Sequence, residues 1–206
     1  MKRELVIATY NLDKKKEIEK ILSGLNLKIL TLLDFPDLPQ IEEDGYTFED
    51  NAIKKAVFYA RKTKHLSLAD DSGLVVKYLN GKPGVYSARF AGEDATAEEN
   101  NKKLLRLLKG VPLSKRRAEF VCCIALADVK GLIKLVKGTC VGRIAKEMKG
   151  NYGFGYDPVF IPSGYNKTFA ELGEKIKNKI SHRSWALRKI KKFMEEYWGK
   201  YAQEKG

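Results

Sequence analysis

Leu68-Ala69-Asp70-Asp71-Ser72-Gly73-Leu74 places two adjacent carboxylates between two apolar runs, Leu66–Ala69 and Leu74–Val76. The runs read as β-strands and the polar residues between them as a turn. Neighbouring carboxylates repel, and successive side chains of an extended chain leave on opposite faces. One Asp is then free to look into a pocket while the other ties the turn through its own backbone. Taken alone, the stretch reads equally well as a solvated turn or as a site.

Upstream, Leu5–Ala8 reads as a buried strand that runs through Thr9-Tyr10-Asn11 into a helix marked by Ile18, Ile21, Leu22 and Leu25, with Asn11 as N-cap. Lys14, Lys15 and Lys16 in its first turns oppose the helix dipole, which suits either an anion site or a basic solvent face. Leu27–Leu32 is a second strand. Glu42, Glu43 and Asp44 then precede Thr47-Phe48-Glu49-Asp50, a capping-box-like start to a helix reaching about Thr63. The three acids are either dipole partners of that helix or ligands for a divalent cation.

Downstream, Thr96-Ala97-Glu98-Glu99 opens another helix, and the apolar run Ala118–Ala127 reads as a central strand turning at Asp128-Val129-Lys130-Gly131 into Leu132–Val136. Gly153-Phe154-Gly155-Tyr156-Asp157-Pro158 interleaves glycines with aromatics. It suits a loop where backbone approaches a flat ligand, or a glycine turn with core aromatics. His182 and Arg183 start the last helix, capped by Ser181 or Ser184. Strands and helices alternate early and a hairpin follows, which predicts an α/β fold on a mixed sheet.

Composition narrows the function. Cys122, Cys123 and Cys140 lack metal-ligand spacing, so they read as buried, inert thiols. No stretch has the ~20 apolar residues of a membrane span, and the apolar run after Met1-Lys2-Arg3 is too short for a signal peptide, which predicts a cytoplasmic protein. The net charge of +13 suits an anionic partner. No zinc finger, RNA-recognition aromatics or basic arm accompanies it, and phosphorylated small molecules fit equally well, so charge alone decides nothing.

Four motifs stand in a fixed order: Thr9-x-Asn11-x-x-Lys14, Ala69-Asp70-Asp71-Ser72-Gly73-Leu74, Gly153-Phe154-Gly155-Tyr156-Asp157-Pro158 and Ser181-His182-Arg183. Together they resemble the inosine/xanthosine triphosphate pyrophosphatase family nearly end to end. The resemblance implies one catalytic domain over residues 1–206, with an elongated two-lobed α/β fold around one cleft, a central mixed sheet and flanking helices. It implies a homodimer that hydrolyses ITP, dITP and XTP to the monophosphate and pyrophosphate with Mg²⁺. Asp71 would be the catalytic acid that activates water, sharing the metal with Glu42. Thr9, Asn11 and Lys14 would hold the triphosphate, and Ser72, Phe154, Gly155, Tyr156, Asp157, Lys177, His182 and Arg183 the rest of the substrate. Tyr10 departs from the pattern, standing where the family has Gly. Other readings are a pyrophosphatase for other modified nucleotides, or a basic nucleic-acid-binding protein.

Overall fold

The computed structural model describes residues 2–203, with side chains through residue 198. Strand β1 (Arg3–Ile7) leads into helix α1 (Leu12–Leu22) and returns as β2 (Leu27–Thr31). The strands pair in parallel, Arg3 opposite Leu27 and Ile7 opposite Thr31. Parallel neighbours need such a crossover, and α1 supplies it. Helix α2 (Phe48–Thr63) then crosses to β3 (Leu66–Val76), which pairs in parallel with the other edge of β1, Ile7 opposite Leu68.

After helix α3 (Ala97–Leu107) come β4 (Arg117–Asp128), β5 (Gly131–Ile144), the short β6 (Phe160–Pro162), and helices α4 (Phe169–Ile180) and α5 (His182–Gln203). The six strands form one sheet in the order β2-β1-β3-β4-β5-β6. β6 runs antiparallel to β5, so the sheet is mixed, as the alternation of elements predicts. The chain divides into two compact units: Met1–Asp71 with Cys123–Gly138 and Ser184–Gly206, and Ser72–Cys122 with Thr139–Arg183.

The apolar patterns place the cores. In the first unit Leu5, Val6, Ile7, Ile18, Leu22, Ala52, Ala56 and Ala60 are buried, the small alanines recurring every four residues as a narrow face of α2. In the second, Leu74, Leu104, Phe120, Ile144, Tyr156, Phe160 and Phe169 form one hydrophobic cluster. All three cysteines are buried and free, and burial pushes the Cys123 and Cys140 thiols up to about 12, so neither forms a thiolate at neutral pH.

Two expectations need correction. The turn at Asp70–Gly73 does not form, because β3 runs unbroken from Leu66 to Val76. The carboxylates tolerate this because each has a partner, Lys14 for Asp70 and Asn51 for Asp71. Nor does β5 stop at Val136. Its alternation continues to Ile144, with Val136 and Cys140 inward and Lys137 and Val141 outward.

Candidate active site

The first unit assembles its polar groups beyond the carboxyl end of β1 and at the middle of β3. Asn11 Oδ1 accepts from the backbone N–H groups of Asp13 (2.9 Å) and Lys14 (3.0 Å), which caps α1, and Thr9 Oγ1 accepts from Asn11 N (3.1 Å). Thr9 and Asn11 thus build the strand-to-helix turn with their side chains. Lys14 Nζ lies 3.2 Å from Asp70 Oδ2. Tyr10 is 44 % exposed, so its bulk is in part accommodated by solvent.

Asp71 is buried, and Asn51 Nδ2 donates to its Oδ2 at 2.9 Å. The same Asn51 amide accepts from Gly45 N through Oδ1 (2.8 Å), which fastens the acidic loop to α2. A Cβ on Gly45 would meet Asn51 Oδ1 at 2.6 Å, so glycine is required for that approach. One helical turn on, Lys55 Nζ donates to Glu43 Oε1 (2.7 Å) and to the Asp70 carbonyl (2.6 Å). Burial disfavours the Lys55 ammonium, but Glu43, Asp70 and Asp71 outweigh it and hold its pKa above the usual lysine value. Burial and the charge of Glu43 raise Asp71 to about 6 against the pull of Lys55, Asn51 and Lys14.

Glu42, expected beside Asp71, is exposed, and the carboxylate whose charge reaches Asp71 is its neighbour Glu43. Asn51 and Lys55 are not among the residues that the sequence motifs single out. Their i, i+4 spacing beside the buried alanines Ala52 and Ala56 was the available signal.

The second unit organises the glycine-aromatic loop around a buried ion pair. Asp157 Oδ2 accepts from Lys177 Nζ (2.6 Å) and from Phe154 N (2.9 Å). A Cβ on Gly153 would collide with that carboxylate, and its φ of 83° is one that only glycine adopts without strain. The Phe154 ring lies 4.1 Å from Lys177 Nζ and 5.5 Å from the Arg183 guanidinium, and Arg183 donates to Ser72 Oγ at 2.9 Å. Phe154, Asp157, Lys177, Arg183 and Ser72 are thereby brought together.

The other predicted residues there have packing roles on view. Tyr156 sits in the core with its hydroxyl on the Ser87 carbonyl (2.8 Å), and His182 stacks on Phe120 with ring centroids 4.6 Å apart. Lys177 rides on α4, a helix absent from the sequence reading. Its capping box was legible in Thr168-Phe169-Ala170-Glu171: Thr168 Oγ1 accepts from Glu171 N, and Glu171 returns a bond to Thr168 N.

The first unit offers a carboxylate with an amide-fixed orientation and a cation-loaded helix start, and the second offers an aromatic ring flanked by cations. A sequence profile described as the Ham1 family matches residues 5–193. The dITP/XTP pyrophosphatase of Geobacter sulfurreducens is 51% identical over 187 residues, covering 91% of this chain and 94% of that protein. That of Desulforamulus reducens is 49% identical over 195 residues, covering 95% and 97%. Among solved structures, a HAM1 protein from Coxiella burnetii superposes with a TM-score of 0.85 at 41% identity, covering 94% of this chain and 99% of its own. The Staphylococcus aureus Ham1 protein gives 0.85 at 40%, covering 95% and 100%. With matches of this length in both sequence and fold, the chain belongs to the Ham1 family.

Proposed function

We propose that this chain is a nucleoside triphosphate pyrophosphatase that hydrolyses the deaminated purine nucleotides ITP, dITP and XTP to the monophosphate and pyrophosphate. The observation that carries the reading is Asp71, buried, tied to Asn51 and raised to about 6. A carboxylate tuned to just below neutral pH is ionised at work yet basic enough to take a proton from water. Asn51 holds one carboxylate oxygen, so Asp71 keeps a fixed orientation toward the water it deprotonates. Lys14 and the capped start of α1 receive phosphate oxygens, and the second unit receives the base. Its donors suit a 6-oxo purine, and the amino group of adenine sets donor against donor.

The chemistry of Asp71 and Glu43 fits a hard cation. Among the described residues no cluster of three metal-binding side chains forms, and Mg²⁺ typically takes one or two carboxylates plus waters and substrate oxygens. We assign Mg²⁺ to Asp71 and Glu43 in preference to Glu42. When bound, Mg²⁺ supplies positive charge for the phosphate oxygens. Glu43→Gln is expected to raise the Mg²⁺ concentration for half-maximal rate by about tenfold or more. Glu42→Gln is expected to leave it within about twofold, because a solvated carboxylate contributes little there. A Mg²⁺ titration of both variants gives the answer, and the reverse order would return the metal to Glu42.

The reading includes a homodimer in the cytoplasm, where nucleotide pools are kept. Among the described residues no helix is long and apolar enough to cross a membrane. The test is a panel of ITP, dITP, XTP, the standard triphosphates and modified pyrimidine triphosphates, with pyrophosphate quantified. The 6-oxo purines should lead. Fastest release from a modified pyrimidine would replace the base assignment, and nanomolar, salt-dependent DNA binding without hydrolysis would replace the enzyme reading.

A further inference from the structure

Helix α3 turns two consecutive asparagines toward two loops. Asn100 uses both ends of its amide: Nδ2 donates to the Ala88 carbonyl at 2.9 Å, and Oδ1 accepts from Ala91 N at 2.7 Å. Asn101 uses one. Its Nδ2 donates to the Gly155 carbonyl at 2.8 Å, while Oδ1, in a residue only 2 % exposed, has no hydrogen-bond partner among the described residues. Only the nitrogen can face a carbonyl, so the amide orientation follows from the chemistry.

This bond fixes the Gly155 carbonyl. The φ of Gly155 is 60°, in the left-handed region that favours glycine, and a Cβ built there would meet nothing within 4 Å, so the space on that side is open. The peptide that follows is planar and trans, with its C=O and N–H pointing opposite ways. Fixing the Gly155 carbonyl on Asn101 therefore aims the Tyr156 N–H away from α3. That N–H has no hydrogen-bond partner among the described residues, although Tyr156 is 5 % exposed and its ring is locked by the bond to Ser87. A backbone donor in so enclosed a residue calls for an acceptor.

We infer that Asn101 is a positioning residue for base selectivity, holding the Gly155–Tyr156 peptide so that the Tyr156 N–H is a rigid donor to the 6-oxo group of the purine. This rests on the function proposed above. Asn100, with both ends satisfied inside the protein, has a structural role only.

The experiment measures kcat and KM for ITP and ATP by pyrophosphate release, with melting temperatures, for wild type, Asn101→Ala, Asn101→Asp and Asn100→Ala. Both Asn101 variants should lose about tenfold of the ITP-over-ATP preference in kcat/KM, the scale of one hydrogen bond. The loss should fall on KM for ITP, with kcat within about threefold, because the bond does not touch the reacting phosphates. Asn100→Ala should lower the melting temperature and leave the preference within about twofold, since its bonds do not set the donor. Asn101→Asp is near-isosteric, so it carries the test if the alanine variant fails to fold. A wild-type enzyme without ITP preference would overturn the proposed function. A wild-type preference that survives in the folded Asn101 variants would overturn this inference alone.

Discussion

Asp71→Asn is expected to abolish activity and stabilise the protein at once. The rate should fall at least about a hundredfold, the scale of losing a positioned general base. The stability gain follows from linkage. Folded, Asp71 keeps its proton up to about 6, while unfolded it gives the proton up near the ordinary 3.8. Between those values the folded state binds more protons, so stability falls as pH rises through the window, and above it the buried carboxylate costs its full amount. Asparagine carries no such cost and can still accept from Asn51. The variant should therefore be about 1–3 kcal/mol more stable than wild type at pH 7.5 in EDTA, with the gap closing toward pH 4. Melting both proteins across this range tests it. A gap of zero at pH 7.5, or one that ignores pH, would contradict the environment given to Asp71.

The second large effect lies in the other unit. Lys177 and Asp157 form an ion pair at 2.6 Å with each side chain 2 % exposed. Lys177→Met should cost about 3–5 kcal/mol, because it leaves the Asp157 carboxylate buried without its counter-charge. For a chain of this size that lowers the melting temperature by about 10 °C. The Phe154 N–H is bonded to the same carboxylate oxygen, so KM for ITP should rise as the loop loosens. Adding Asp157→Asn to Lys177→Met removes the stranded charge and should recover part of the loss. A single variant as stable as wild type would mean that the pair does not organise the loop.

Much of this molecule was legible before its structure. Asn11 announced the start of α1, and Thr47 and Thr96 the starts of α2 and α3, because caps act within one turn of chain. What stayed hidden depends on groups distant in sequence. The supposed turn at Asp70–Gly73 became strand because Lys14 and Asn51 arrive from elsewhere in the chain to neutralise or bind the two carboxylates. Glu42 and Glu43 are adjacent acids in an irregular loop, and what sets them apart is the reach of Lys55, which pairs with Glu43. Lys55 looks in sequence like any helix-surface lysine. It is buried because it holds Glu43 and the Asp70 carbonyl together.

Tyr10, the one bulky departure in the first motif, shows the same limit. The side chain is 44 % exposed, a placement set by how the surrounding chain packs and not by its neighbours in sequence. Helix α4 was missed for a local reason instead. Gly173, at φ 75°, interrupts the helical conformation, and the capping box at Thr168 was the stronger signal.

The most direct measurement follows an equimolar mixture of ITP and ATP with Mg²⁺ and the enzyme by phosphorus NMR. The account predicts that ITP disappears first, giving IMP and pyrophosphate in equal amounts while ATP persists. Consumption of ATP ahead of ITP, or release of orthophosphate with IDP, would contradict it.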